Sequence, residues 1–570
     1  MYNAAMLTRL PWRRSSHTPL KLSLRLYRGY HVPSDTFAIP TSYTIAVGPN
    51  TTKKEALQAL KNKVVRSSPT TKTLDHPCGT SNPSTQHCSA TVIIASRSLA
   101  SWLEDPAFII SLIKSNARRY KALSRADSQP EDVGDDPLLV APGPEISILT
   151  AAVDSIPLPT RRKDQGWGNG FSTQGISVIQ GIPSQLLEGL WENAAASRQN
   201  DPDTSAGLTF KLPDLEGKTA EGTVEVTMPV ANTVFHNGRS STMFASRWAG
   251  STWTDYKVVE QRDVTQTSVC LRQKKTNSPE YSTITIPMLP LTQPRRIVSG
   301  LGNIIRQVEV DTEETGRKAV PASMELEDKI PHMLSAREEM GLGPIEGPVG
   351  VWALVIPPKV AETLPIMAPL THGVSEFNPA EHIRPLLEAG CRIYRVLSGG
   401  GGWGDKKGLL SLDPQTKFST TDDEDIDTFA RSFLGQHSGS DKTSGSGDII
   451  SPGDYVSFFV DTETYPVRRI AEPRRDTVEK FQLGVDLPEK HDGTYSSPEL
   501  MTERPATEVF LNYFGAASGQ AIFVGPEEFT GLDRPRLEEK PDQSFRSGVG
   551  YGLSSSKIDT PGTRISVFAS

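Results

Sequence analysis

The chain runs to 570 residues, with 36% apolar and 22% charged side chains and a formal net charge of −7. That length predicts two or three domains with packed cores, and the acidic balance argues against a general nucleic-acid binder. No long apolar run offers a membrane-spanning helix, and the cysteines Cys78, Cys88, Cys270 and Cys391 are too few for a disulfide scaffold.

The amino end has a different composition. Residues 1–34 hold Arg9, Arg13, Arg14, Lys21, Arg25 and Arg28, and Asp35 is the first acid. Ser15, Ser16, Thr18 and Ser23 add hydroxyls. This is the composition of a mitochondrial presequence, whose cations are drawn inward by a negative matrix potential. A secretory signal needs an unbroken apolar stretch, which Arg13 and Arg14 interrupt. Arg28-Gly29-Tyr30 resembles sites cut by the matrix processing peptidase, so Arg28 and Tyr30 mark the expected cut. Losing the six cations takes the side-chain charge from −7 to about −13. The import and processing machinery are therefore the first expected partners, and the matrix the expected compartment. The alternative is a basic arm for an anionic surface; Leu20, Leu22, Leu24 and Leu26 alternate with a period of about two, so helical amphipathicity is not clean.

In chain order, Thr41–Val47 predicts a strand, and Thr52 with Glu55 predicts a capped helix to about Arg66 with Leu57, Leu60 and Val64 on one face. Ser67–Gln86 reads as loop. Ala90–Ala95 predicts a buried strand, and Asp105-Pro106 opens a helix through Phe108, Ile109, Leu112 and Ile113. Strands are expected at Leu138–Ala141, Glu145–Ala151 and Ser177–Gln180, and a helix over Ser184–Ala196. A β-rich stretch follows, with strands at Leu208–Leu212, Thr223–Met228, Thr252–Glu260, Ser268–Arg272 and Thr283–Ile286. Asn237-Gly238 predicts a two-residue hairpin turn between Thr233–His236 and Ser241–Arg247.

The charged stretch Thr312–Gly347 reads as a helix-bearing connector. Val349–Ile356 predicts a strand, Asn378-Pro379 a helix ended by Gly390, and Cys391–Leu397 a strand. Asp422–Asp427 and Ser438–Gly447 look solvated. Further strands are expected at Asp454–Val460, Val509–Tyr513, Gln520–Val524 and Arg564–Phe568. The fold class is α/β, with α+β as the alternative. The expected organisation is a presequence over 1–30 and a first unit over 38–295 with a β-rich second half. A connector over 296–348 then leads to a second unit over 349–570, with a disordered insertion near 415–448.

The most unusual local feature is Ser398-Gly399-Gly400-Gly401-Gly402-Trp403-Gly404-Asp405-Lys406-Lys407-Gly408. Glycines after a strand let backbone N–H groups converge on an anion, with Lys406 and Lys407 adding charge and Trp403 a stacking face. Ser398 through Gly402, Trp403, Lys406 and Lys407 are the candidate ligand contacts. No Ser or Thr follows the lysines, and Leu409–Leu412 reads as a strand, so neither a P-loop nor a dinucleotide fold is supported. The competing reading is a plain connection between two strands. Gly166–Phe171 (GWGNGF) is a second Gly/aromatic loop that would share a pocket with Trp403.

Arg295, Arg296 and Arg306 flank Gly300-Leu301-Gly302-Asn303, as a contact for RNA or phosphate, or as a helix start on the sheet. His76, Cys78, His87 and Cys88 match no common zinc spacing, so no metal is expected, and no cofactor is indicated. His236 and His382 pair with no nucleophile in the sequence, and Glu338 and Glu339 read as a solvated helix face.

The order ATVIIAS (Ala90–Ser96), a helix, EISILT (Glu145–Thr150), GISVIQGIP (Gly175–Pro183) and TVFHNGR (Thr233–Arg239) resembles FIST domains, which are small-ligand sensory domains. The resemblance covers about residues 90–247 and implies ligand sensing without catalysis; it transfers no functional residue. The expectation is thus a non-catalytic matrix protein that binds a small anionic molecule or phosphate, or serves in assembly. A gene-expression factor touching mitochondrial RNA or the ribosome is the first alternative, and an enzyme with an unidentified active site the second.

Overall fold

The computed structural model describes residues 41–66, 89–114, 145–162, 166–191, 205–213, 223–250, 256–271, 282–286, 288–312, 316–339, 345, 348–362, 379–399, 408–420, 449–461, 481–484, 507–526, 554–560 and 562–568. The expected presequence with Arg28 and Tyr30, the stretch with His76, Cys78, His87 and Cys88, Leu138–Ala141 and residues 421–448 lie outside them.

Strand β1 (Thr41–Val47) leads into helix α1 (Lys53–Arg66). The capping box forms as the sequence predicts: the Thr52 N–H donates to Glu55 Oε2 at 2.7 Å, and the Glu55 N–H to Thr52 Oγ1 at 3.3 Å. Ala56, Leu60 and Val64 turn one stripe of α1 into the core. Strand β2 (Ala90–Ser96) precedes the short α2 (Ala100–Leu103), then α3, described over 106–114. Asp105 caps α3, accepting from the Ala107 and Phe108 N–H groups at 3.0 and 3.2 Å. Next come β3 (Glu145–Val153), β4 (Ile156–Arg162), β5 (Gly166–Thr173), β6 (Gly175–Gly181) and the single turn α4 (Pro183–Leu186).

Two expectations fail here. Gly166–Phe171 is not a loop but strand, with Trp167 opposite Arg161 in the β4–β5 hairpin, because Ile156–Arg162 supplies an antiparallel partner. The helix expected over Ser184–Ala196 stops at Leu186: Leu187 leaves helical geometry (φ −127, ψ 45) and Gly189 takes a positive φ of 73.

Strands β7 (Gly207–Pro213), β8 (Thr223–Pro229) and β9 (Asn232–Thr233) follow. The Asn237-Gly238 pair does not make a two-residue hairpin turn. It ends a one-turn helix, α5 (Val234–Asn237), with Gly238 at φ 80 as its left-handed cap. The Asn232 side chain fixes the other end by accepting the Val234 N–H, and Phe235 between them is 98% exposed. The chain returns through β10 (Arg239–Ser241), β11 (Met243–Ala249), β12 (Lys257–Asp263), β13 (Gln266–Cys270), β14 (Ser282–Thr285) and β15 (Met288–Pro290).

The expected connector carries its helix and three strands besides. It supplies β16 (Arg295–Leu301), β17 (Ile304–Thr312), β18 (Gly316–Pro321) and α6 (Met324–Glu339). Gly302, at φ 60, turns β16 into β17, so Gly300–Asn303 is a hairpin corner and no helix start. The remaining elements are β19 (Val351–Ile356), α7 (Pro358–Ala361), α8 (Pro379–Glu388), β20 (Arg392–Gly399), β21 (Leu410–Leu412), β22 (Tyr455–Asp461), β23 (Phe481–Gly484), β24 (Thr507–Leu511), β25 (Tyr513–Ala517), β26 (Ile522–Pro526), β27 (Ser556–Ile558) and β28 (Arg564–Phe568).

Helices and mixed sheets place the fold in the α/β or α+β class. Antiparallel pairing dominates; β2–β3, β7–β13 and β14–β23 are the parallel pairs among the described strands. The first sheet has the order β12-β11-β3-β2-β6-β1-β24, and the second β13-β7-β8-β26-β27. Strands β16, β17, β21, β20, β19 and β22 close into a ring of antiparallel pairs, with β15 and β18 alongside.

Residues 38–570 group as one unit. The stretches 38–295 and 349–570 share a core that joins Val92, Leu149 and Val226 to Leu354, Phe459 and Ile522. The reason lies in β19, which is buried on both faces. Trp352, Leu354 and Ile356 enter that shared core, while Val351, Ala353 and Val355 enter the core of the ring. Residues 415–420 also depart from the expected disordered insertion: Phe418 packs edge-on against Phe523 with centroids 5.8 Å apart, in space left by Gly207.

Candidate functional site

The predicted site residues fall in three places. Ser398 and Gly399 end β20 opposite Ser411 and Leu410 of β21, so the two ends of the glycine-rich segment are antiparallel neighbours. Gly408 begins the return at φ 87; a Cβ there would sit 2.4 Å from Pro321 Cβ. Gly400, Gly401, Gly402, Trp403, Lys406 and Lys407 lie outside the described residues. Arg295 is committed elsewhere: its Nη2 and Nε donate to Glu325 at 2.8 and 3.1 Å. Arg296 and Arg306 are exposed on the adjacent strands β16 and β17. His236, Glu338 and Glu339 are exposed on α5 and α6.

A different group of residues converges on one face of the first sheet. Register sets Arg247 opposite both Ser147 and Glu260, and Ala245 opposite Arg262. Alternation along the strands then puts Ser147, Arg247, Glu260 and Arg262 on the same face. The turn at Gly189 lays Trp191 across them, where its Nε1 donates to Ser147 Oγ at 3.1 Å. The guanidinium carbons of Arg247 and Arg262 stand 4.5 and 5.0 Å from the Trp191 ring centroid.

The two arginines are not equivalent. Arg247 has a carboxylate, Glu260 Oε2, at 3.4 Å. Arg262 has none among the described residues; its Nη2 donates to the Leu190 carbonyl, and its Nε is buried without a partner. A buried donor left unmade costs about 1–3 kcal/mol. Arg262 also forms a wall of a cleft of about 190 Å³, with Glu188, Thr265, Gln266, Thr267 and Ser268. Asp263 of the same cleft is tied to Arg239 at 2.9 Å. The cleft therefore offers a cation held rigid by stacking, neighbouring hydroxyls and an exposed acid. The cleft is not legible in the sequence because Trp191 and Arg262 lie far apart in the chain and share no motif. The alternation of β12 was the available signal, and it becomes informative only once register is known.

A second charged cluster ties the ring to the second sheet. Trp352 Nε1 donates to Asp559 Oδ1 at 2.6 Å, and Arg395 Nη1 lies 3.6 Å from Asp559 Oδ2. Lys557 Nζ donates to Asp413 Oδ2 and Gln415 Oε1, both at 2.8 Å. Burial holds the Asp559 carboxyl above the usual carboxylate range, opposed by the Trp352 hydrogen bond and the charges of Arg395 and Lys557. Each charge in this seam has a partner on another element. Cys391 is buried, and its thiol is pushed up to about 12, so it stays protonated near neutral pH.

No protein-family model, curated protein or solved structure matches the chain.

Proposed function

We propose that this is an imported mitochondrial matrix protein that binds a small anionic ligand in the Arg262 cleft without transforming it. Arg262 carries the reading: a guanidinium stacked on Trp191, with no carboxylate partner among the described residues, at the wall of a hydroxyl-bearing cleft. An anion at that wall would neutralise a guanidinium that has no carboxylate partner among the described residues. The acid-free leader supplies the address. The resemblance to FIST domains, whose segments fall on β2, β3 and β6, points to ligand sensing as well. RNA binding through Arg295, Arg296 and Arg306 has less support, because Glu325 already neutralises Arg295. Asp559 is a poor general acid or base, because its partners hold it in a structural seam.

Calorimetric titration of the whole chain with inorganic phosphate, acetate and succinate tests this. At least one should bind, and Arg262→Gln should abolish that binding. Unchanged binding in the variant, or none in the native protein by these ions or by a carboxylate-bearing peptide, removes the cleft from consideration. A Lys406→Ala/Lys407→Ala variant in the same titration reports on the glycine-rich segment; loss there alone moves the ligand to Ser398–Gly408.

A further inference from the structure

The anion cleft borders the open edge of a sheet. Strand β13 is the terminal strand of the second sheet and pairs on one side with β7. Its ladder uses the Thr265 carbonyl, which accepts the Gly207 N–H at 2.8 Å, and the Leu271 N–H, which donates to Lys211 O at 2.9 Å. Backbone groups alternate sides along a strand. Residues 265, 267, 269 and 271 therefore face β7, and Gln266, Ser268 and Cys270 turn their N–H and C=O groups to the open side. Among the described residues nothing pairs with that side. Gln266 and Ser268 also line the Arg262 cleft.

We infer that the ligand is the carboxyl-terminal end of an extended peptide, added antiparallel to the open edge of β13 with its carboxylate at Arg262. The inference rests on the anion-binding reading above and specifies its ligand. Charge selects the direction. β13 runs from Gln266 to Cys270, leading away from the turn that follows Arg262. An antiparallel strand would bring its carboxylate to the Arg262 end, whereas a parallel one would bring an ammonium there, which the guanidinium repels. A peptide supplies both N–H and C=O groups to match Gln266 and Ser268, which phosphate cannot do. Size agrees: at about 190 Å³ the cleft is smaller than pockets that engulf drug-sized ligands, roughly 300–1,000 Å³. It suits a terminal residue whose preceding residues lie along the edge. Glu188, exposed at the same cleft, disfavours a second negative charge and so favours a monocarboxylate over phosphate.

The test compares N-acetyl-trialanine bearing a free carboxylate with its carboxamide, with a backbone N-methylated version, and with acetate and phosphate, all titrated into the whole chain. The free-carboxylate peptide should bind about tenfold or more tighter than each of the others, the expected effect of losing a charge-assisted bond or a strand pairing. Arg262→Gln should abolish the difference between carboxylate and carboxamide, and Arg262→Lys should retain part of it, which controls for folding. Hydrogen exchange at the Gln266 and Ser268 amides should slow on peptide binding. Acetate or phosphate binding as well as the peptide would overturn the inference and leave the anion site standing. Equal binding of the carboxamide or the N-methylated peptide would also overturn it. Binding by none of the probes would remove both readings.

Discussion

Trp352 Nε1 and Asp559 Oδ1 stand 2.6 Å apart, joining a strand of the ring to a strand from near the end of the chain. Trp352 is nearly fully buried, and the Asp559 side chain is 5% exposed. Trp352→Phe keeps an aromatic ring but removes the donor and part of the bulk, leaving a buried carboxylate without its closest partner. The expected loss is about 1–3 kcal/mol in urea denaturation. A neutral result would mean that Arg395 alone suffices for Asp559.

The same pair predicts a pH dependence. Burial raises the folded-state pKa of Asp559 above its unfolded value. Between those two values the native state holds more proton than the unfolded chain, so this group's contribution falls as pH rises and then levels off. Asp559→Asn keeps an oxygen for the Trp352 indole and cannot ionise. Stability of the native protein relative to the variant should therefore decline as pH rises from the ordinary carboxylate range. Arg395, Lys557 and Asp413 face the group and set how far that window extends. A relative stability that rises with pH would contradict the assignment.

Two glycines should separate close approach from backbone strain. A Cβ on Gly175 would lie 2.4 Å from the Ile45 carbonyl oxygen inside the first sheet. Gly175→Ala should cost about 3 kcal/mol or more, because backbone must move. Gly238 has open space around it and a φ of 80. Gly238→Ala should cost only the left-handed penalty, about 1–2 kcal/mol. Thermal midpoints of the two variants, read side by side, check the ordering.

Asp105 both caps α3 and pairs with Lys53 Nζ at 2.8 Å. Asp105→Ala should cost about 1 kcal/mol, as N-cap losses do. The Lys53 hydrogen bond, followed by the backbone bonds from Phe108 and Ala107, holds this carboxyl below the ordinary range. Its contribution is complete above the ordinary carboxylate pKa and disappears as pH falls through the lowered value. Asp105→Asn should therefore match Asp105→Ala in acid-dependence while retaining part of the cap. Equal stability of all three proteins at neutral pH would show that α3 does not need its cap.

Residues 1–34 fused to a fluorescent reporter should carry it into mitochondria and be cut near Tyr30. Replacing Arg9, Arg13, Arg14, Lys21, Arg25 and Arg28 with Gln should leave the reporter outside. A reporter that enters without those charges would argue for a different signal.

Local signals in the sequence held where the physics is local. Thr52 and Asp105 cap helices because a side-chain oxygen reaches an N–H two or three residues on. Gly390, at φ 92, ends α8 for an equally local reason. Ala90–Ala95 reads as a buried strand and Val349–Ile356 as a strand, and the structure places the buried strands β2 (Ala90–Ser96) and β19 (Val351–Ile356) there. The errors came where a short segment had two local solutions: Gly166–Phe171 became strand once Ile156–Arg162 lay beside it, and Asn237-Gly238 became a helix cap.

By itself, then, the sequence determined the cationic amino end, the helix caps and the most apolar buried strands such as β2 and β19, since each depends on composition or on neighbours a few residues away. Tertiary structure alone decided which strands pair. It placed β24 beside β1 and closed β16 and β22 into a ring. It also brought Trp191 against Arg247 and Arg262. Hydrophobic alternation says that a strand has two faces; it does not say which distant strand will lie against its edge, and the Arg262 cleft is made by that choice.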